Sequence, residues 1–509
     1  MVAMSSEEPS NAERTSAGTA GAGTASATGN RSTTPRGEAF AAYIAANWAE
    51  RPRTEPAPRE AAPFAAARRA RLSALHPGRR LVVPAGPPRV RSNDTDYPYR
   101  AHSAFAHLTG WGADTVPDSV LVLEPAGDAH TATVHLRESA GRDSDEFYAN
   151  AAIGEFWVGP RPALADIAVE LGLATGSLRA FLETGLDELD WSVPTLVLRD
   201  ADRVLTTRID ALRPSLEDPE AVDDADLARD VSELRLVKDA YEIEQLRLAI
   251  AATKEGFDDV IADLPQIVAS PRGERVVQGT FDRRARIEGN AVGYDTIAAS
   301  GPHACILHWT RNDGPVVPGD LILIDAGVEL ESYYTADITR TLPVSGRFGE
   351  VQRRVYEAVR EAADAAFSIV RPGIRFRDVH AEAMRVIATR TAEWGLLPVG
   401  AEEALEADHQ EHRRYMVHGT SHHLGIDVHD CAQARREMYL DGLVEAGMVF
   451  TIEPGLYFQP DDLTVPVEYR GIGVRIEDDV LVTADGAERL SAGIPRTADE
   501  VEAWIGSRR

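Results

Sequence analysis

The chain opens without a hydrophobic pattern and then acquires two. Residues 1 to about 36 hold almost no large apolar side chains among their Ser, Thr, Gly and Ala. Nothing there offsets the entropy of ordering, so a disordered tail is predicted. In GEAFAAYIAANWAE the spacing of Phe40, Tyr43, Ile44 and Trp48 is helical, which predicts a helical extension over 37–64. From 65 to 214 short β-like runs (RRLVVPAG, SVLVLEPAG, ATVHLRE) alternate with Ala- and Leu-rich helical segments, the rhythm of a small mixed α/β domain. The acidic, proline-bearing RPSLEDPEAVDDADLARD interrupts that rhythm and predicts a linker over 215–235. Leu236, Ile243, Leu246 and Ile250 then resume a helical stripe, and 236–495 mixes helices with apolar strand-like runs that end in charged residues. Residues 496–509 are read as a C-terminal tail. The fold class is therefore α/β (α+β), in two domains, as 509 residues exceed the size at which one core stops growing. No internal repeat is visible.

Several polar residues sit where the pattern makes them expensive. In DLILIDAGVEL four consecutive apolar residues, Leu321 to Ile324, mark a strand buried on both faces, and Asp325 stands at its end. Twelve residues on, Asp337 opens a second β-rich run, DITRTLPV, so a hairpin brings the two carboxylates together. GMVFTIEPGLYF ends a strand at Glu453, before a Pro-Gly turn. In GVRIEDDVLVT, Val474 and Ile476 alternate with Arg475 and Glu477, giving one apolar face and one face with a guanidinium beside a carboxylate. Taken singly, each aspartate also reads as a turn former and the Arg475–Glu477 face as a surface ion pair.

The histidines shift the balance. HGTSHHLGIDVHD places His418, His422, His423 and His429 within twelve residues, among Gly419 and Gly425. Imidazoles among glycines make poor core and poor helix but suit a tight loop feeding a metal. His308, in ILHWT, adds little by itself. Converging carboxylates repel one another unless cations or protons intervene. Asp325, Asp337, His422, Glu453 and Glu477 thus predict two divalent metal ions, most readily Mn²⁺ given the oxygen-rich donor set, with Co²⁺, Fe²⁺ or Zn²⁺ as other occupants.

Composition narrows the partners. Asp and Glu outnumber Lys and Arg by 81 to 53, a formal charge of −28, which disfavours nucleic acid. Cys305 and Cys431 are too few for a disulfide framework and read as small core residues, as suits a cytoplasmic protein. No run of about 18 apolar residues predicts a membrane span, and the first 35 residues lack the apolar segment of a secretory signal.

These residues in this order resemble the pita-bread metallopeptidase family, which contains aminopeptidase P, prolidase and methionine aminopeptidase. The resemblance covers roughly 65–490. HGTSHHLGIDVHD is more similar to the aminopeptidase P version than to the prolidase version, and SNDTDYPYRAHSAFAHLTGW resembles the aminopeptidase P N-terminal domain. It implies a pita-bread catalytic domain over 236–495 behind a smaller N-terminal domain. It further implies an Xaa-Pro aminopeptidase, in which a hydroxide bridging two metal ions attacks the bond before proline. Asp325 would bind one ion, His422 and Glu453 the other, and Asp337 and Glu477 both. By the same similarity His308, His418 and His429 position substrate, Glu453 moves a proton, Arg475 supports the bridging glutamate, and Asp94 lies near the substrate amine. A prolidase limited to dipeptides and a non-catalytic pita-bread binding module are the alternatives. Relatives assemble, so a homo-oligomer, dimer or tetramer, is expected. The sequence departs from the family pattern by one extra residue between Asp325 and Asp337 and by the long N-terminal extension.

Overall fold

The computed structural model describes residues 33–35, 37–50, 55–93, 95–214 and 223–508. Nearly all of the expected tail, Asp94 and the first part of the expected linker lie outside the described residues. The described residues fall into two compact units, one of those before Arg53 together with Ser139–Arg161, the other of those in Thr54–Glu138 and from Pro162 onward.

In the smaller unit the predicted helix runs only over Glu38–Ala45. Trp48 lies beyond its end, and Tyr43 is exposed rather than part of a buried stripe. Phe40 meets Tyr148, and Trp48 meets Phe147, both edge to face. These contacts, worth about 0.5–1.5 kcal/mol each beyond their buried area, draw 139–161 out of the α/β rhythm to which the sequence assigns it.

The larger unit contains the three predicted strands, Arg80–Pro84, Val120–Ala126 and Ala129–Leu136, as the middle of a five-stranded sheet. They run antiparallel, and the short strands Ala174–Ser177 and Thr195–Val197 add parallel edges. In the C-terminal half, Leu321–Ala326 is the centre of a three-stranded sheet between Ile297–Ser300 and Ile338–Pro343. A second three-stranded sheet pairs Val449–Ile452, Asp478–Val482 and Ala487–Arg489, and Gly455–Tyr457 pairs with Gly473–Arg475. Helix Gly273–Glu288 packs on Ile297–Ser300, and helix Glu350–Ser368 on the strands at 449–452, 455–457 and 473–475. Among the described residues no helix is long and apolar enough to cross a membrane.

Two boundaries differ from the sequence reading. Part of the expected linker is a helix, Asp224–Glu233, closed by a capping box between Asp223 and Asp226. Its acidic residues read as linker composition, but Leu227 and Val231, four apart, are buried. The expected C-terminal tail is a helix, Ala498–Arg508, that buries Ala498, Val501, Trp504 and Ile505, and the Trp504 indole donates to Asp258 at 2.6 Å. Both cysteines are free and buried, and burial pushes their thiols up to about 12.

The N-terminal half and the histidine-rich segment are tied by buried charge. Asp430 receives Arg235 at 2.8 Å and Lys238 at 3.0 Å, and both ends of the Lys238–Asp430 pair are buried. Burial alone would raise the Asp430 carboxyl, but Lys238 and Arg235 overcome it and hold it well below the usual carboxylate range. Asp427 accepts from Ser103 at 2.5 Å and lies 3.3 Å from Arg100, which also binds Glu329 at 2.8 Å.

Replacing Asp430 by Asn leaves two cations buried without their carboxylate, and unfolding in denaturant should show a loss of about 3–5 kcal/mol. The stabilisation is full above the ordinary aspartate value of ~3.9 and drains as pH falls towards the lower folded value. Wild type should therefore lose stability more steeply than D430N below about pH 5. Acid-unfolding curves that run parallel for the two proteins would refute the assignment.

Candidate metal centre

Register brings the carboxylates together. Leu321–Ala326 and Ile338–Pro343 pair antiparallel with Asp325 opposite Thr339, so Asp337, one residue before its strand, arrives beside Asp325. The chain between them closes in a tight turn: Glu329 bridges to Thr335, and Tyr333 takes a left-handed φ of 70°. Gly327 has no substitute here, because a Cβ would lie 1.7 Å from the Ala336 carbonyl oxygen.

Alternation along the strands sorts the polar residues onto two faces. In the run DITRT, Thr339 donates to Glu477 at 2.7 Å and Thr341 to the Arg475 carbonyl at 3.0 Å. Arg340 between them points away, fully buried, and its guanidinium donates to Asp478 at 2.8 Å. Glu477 and Asp478 divide in the same way, one towards the cluster and one towards Arg340. Arg475 is buried too, not on an exposed edge. It donates to Asp325 in a short ion pair, to Thr339 at 3.0 Å and to the Tyr457 hydroxyl at 3.2 Å.

Asp325, Asp337, His422, Glu453 and Glu477 line one cavity of about 730 Å³, together with His308, His418, His429 and Arg475. Asp337, His422 and Glu477 offer donor atoms all within 4.8 Å of one another. His422 Nε2 is 3.2 Å from Asp337 and 3.6 Å from Glu453. Asp325 is turned to Arg475 and Tyr294 and stands outside that trio. The His429 ring meets His422 edge to face at 4.4 Å. His418 holds the Gly419 carbonyl through Nδ1 at 2.6 Å, and its Nε2 accepts from Tyr457 at 2.8 Å. His423, the fourth histidine of the run, points away and stacks on Phe376 in the core.

The electrostatics are those of a site short of positive charge. Burial raises Glu453 to about 7, with His422 and Arg475 opposing. Burial, then the neighbouring carboxylates, lift Glu477 far above the usual range. Asp325 is raised by burial despite Arg475. Burial would lower His422, but Asp337 and Glu453 raise it to about 9, whereas burial and Arg475 depress His418 to about 3.

Sequence reasoning missed Tyr294. Its hydroxyl lies 2.7 Å from Asp325 and 2.5 Å from Asp337, and burial followed by those two carboxylates raises it well above its ordinary value. A phenol carries one proton, so it cannot donate to both at once. Asp479, also missed, accepts from the Asp337 amide at 3.2 Å and leaves its other oxygen buried without a partner. Acceptors outnumber donors, as fits a set of residues built around divalent cations. Nothing in GNAVGYDTIAAS separates Tyr294 from an ordinary strand aromatic.

Residues 244–484 match the model of metallopeptidase family M24, and 65–178 match the aminopeptidase P N-terminal domain. The chain is 51% identical to Xaa-Pro aminopeptidase 2 of Streptomyces coelicolor over 92% of this chain and 96% of that protein. It is 33% identical to the Xaa-Pro aminopeptidase of Escherichia coli, over 88% and 98%. Among solved structures it superposes on aminopeptidase PepP of Pseudomonas aeruginosa with a TM-score of 0.76 at 30% identity, covering 88% of this chain and 99% of that one. Zinc-substituted Escherichia coli aminopeptidase P in complex with product gives 0.74 at 30% identity, covering 89% and 99%. The chain belongs to the pita-bread metallopeptidases of family M24, in their aminopeptidase P branch.

Tyr294→Phe keeps the ring and removes the hydroxyl shared by Asp325 and Asp337. Divalent metal affinity, measured by titration calorimetry, should weaken about 10–100-fold. An unchanged affinity in the folded variant would mean that Tyr294 does not support the centre.

Proposed function

We propose that the protein removes the N-terminal residue from peptides with proline in second position, using two divalent metal ions held by Asp325, Asp337, His422, Glu453 and Glu477. The observation that carries this reading is the convergence of those five donors with His308, His418 and His429 on one cavity, in a chain so similar to Xaa-Pro aminopeptidases. When bound, the ions supply a Lewis acid for the scissile carbonyl and an acidified water. Asp337 and Glu477 would hold both ions, Asp325 one of them, and His422 and Glu453 the other.

The chain's own groups do the rest. Glu453 takes the proton from the attacking water and passes it to the departing proline nitrogen, which leaves as a secondary amine. His308 and His429 border the cavity and offer donors to the substrate carbonyls and to the oxyanion that replaces the attacked one, while His418, its one N–H held by the Gly419 carbonyl and its Nε2 accepting from Tyr457, shapes the wall between them. Arg475, through Asp325 and Tyr457, fixes one wall. Ile297, Leu307, Val428 and Tyr439 give the cavity its apolar surface, which suits a pyrrolidine ring. Proline has no N–H to contribute to an extended strand, so a compact pocket with electrophiles replaces strand pairing. The trans isomer of the Xaa-Pro bond is the productive one.

The oxygen-rich donor set supports Mn²⁺ as the resident ion. The two free, buried cysteines support cytoplasmic residence. Phe156, Trp157 and Val158, consecutive and exposed, support a homo-oligomer that covers them.

The test is hydrolysis of an Xaa-Pro-Xaa tripeptide and an Xaa-Pro dipeptide by purified, Mn²⁺-loaded protein. Tripeptide cleavage to the free N-terminal residue is expected, lost on chelation and in Asp325→Ala. His429→Ala should lower kcat on the order of 10²-fold, the cost of removing one oxyanion donor. Turnover of the dipeptide alone makes the protein a prolidase. Neither activity, with no bound metal, leaves a binding module.

A further inference from the structure

One wall of the cavity is irregular chain. After a short 3₁₀ turn, Gly301–Cys305, residues 306–314 have no regular structure, yet Leu307, His308 and Thr310 all border the cavity. His308 is itself exposed, so its own packing does not hold it. We propose that Glu274 is a positioning residue for the reaction: one buried carboxylate that sets where His308 stands. The proposal rests on the peptidase reading above.

Glu274 lies in the first turn of helix Gly273–Glu288 and is completely buried. Its Oε1 accepts from the Ser300 amide at 2.9 Å and His303 Nδ1 at 2.7 Å. Its Oε2 accepts from the Trp309 indole at 2.9 Å and the Gly314 amide at 2.6 Å. The four donors come from before, beside and after His308. The Glu274 amide also donates to the Gly314 carbonyl at 3.1 Å, so the far foot of the loop is held from both sides. A Cβ at Gly314 would lie 2.7 Å from the His303 ring and 2.9 Å from Glu274, which leaves room only for glycine. The His303 ring stacks on Trp309 at 3.8 Å.

The chemistry calls for a carboxylate. Four donors converge on two oxygens, and only an acceptor-only group accommodates them all. Glutamine is nearly isosteric, but its amide NH₂ would face two of the donors whichever way it turned. Either Ser300 and His303 or Trp309 and Gly314 would lose their partner while buried. Glu274 does not line the cavity and its partners include none of the proposed metal donors. Its effect on the reaction passes through the loop, and a misplacement of about 1 Å in such a wall costs on the order of 10²-fold in rate.

The experiment is a double-mutant cycle on kcat/KM, with Mn²⁺-loaded protein and an Xaa-Pro-Xaa tripeptide. E274Q should lower kcat/KM on the order of 10²-fold with His308 present and by less than about twofold in an H308A background. A folded E274Q with wild-type kcat/KM, or an equal loss in both backgrounds, overturns the proposal. If E274Q does not fold, Trp309→Phe, which removes one donor of the four, takes its place in the same cycle. A loss in W309F that persists undiminished without His308 overturns the proposal equally. Should the wild type leave the tripeptide intact, the peptidase reading fails and the positioning role is read by NMR. The His308 ring resonance, assigned by its disappearance in H308A, should shift in E274Q. An unshifted resonance refutes the positioning itself.

Discussion

Everything at the site follows from placing four carboxylates in one buried cluster. Among the described residues, Asp325, Asp337, Glu453 and Glu477 face one guanidinium, Arg475, and the imidazole of His422, with His418 3.7 Å from Glu453. Buried like charges raise one another's proton affinity and cost free energy unless counter-charge is supplied. The protein supplies only part of it. The hydroxyls of Tyr294 and Thr339 hold individual oxygens, and the remaining deficit is what a pair of divalent cations would fill. The rest of the C-terminal half can be understood as the frame that keeps those oxygens from moving apart.

That frame is built from strand alternation. Thr339, Thr341, Arg475 and Glu477 occupy the inward face of adjoining strands, and Arg340 and Asp478 the outward face, where the two form a buried pair of their own. The outward pair fixes the register that the inward residues need, since a slip of one residue would exchange the two faces. Arg496 and Ser491 complete the pocket around Asp478. Structural and functional residues therefore alternate along the same few positions, and neither set can be repacked without the other.

The sequence made the centre legible because its residues break local rules. A carboxylate ending an apolar strand and a run of imidazoles among glycines are anomalies that call for a partner, and the partners proved to be one another. Residues that break no rule stayed invisible. Tyr294 looks like any strand aromatic, and Glu274 like any acidic residue in a first helical turn, although each is surrounded by contacts distant in sequence. Composition also misled. The acidic stretch before Leu236 reads as linker although Leu227 and Val231 anchor a capped helix, and the last residues read as tail although Trp504 and Ile505 lie in the core. In both cases a short apolar stripe was outweighed by the charged residues around it. That 139–161 joins the small unit could not be inferred, because what gathers it is aromatic contact with Phe40 and Trp48, about a hundred residues earlier.

Arg100 joins these strands of argument. It comes from the N-terminal half, yet it neutralises Glu329 on the turn between the two aspartates and approaches Asp427 beside His429, with its guanidinium over the Tyr333 ring at 4.6 Å. Two segments that sequence comparison separates as distinct modules are thus one electrostatic circuit. Without the N-terminal module Glu329 would lose its cation on the turn between the two aspartates, and Asp427 would keep only Arg235. The geometry of the turn that carries the two aspartates is thus set partly by a residue 229 positions earlier in the chain.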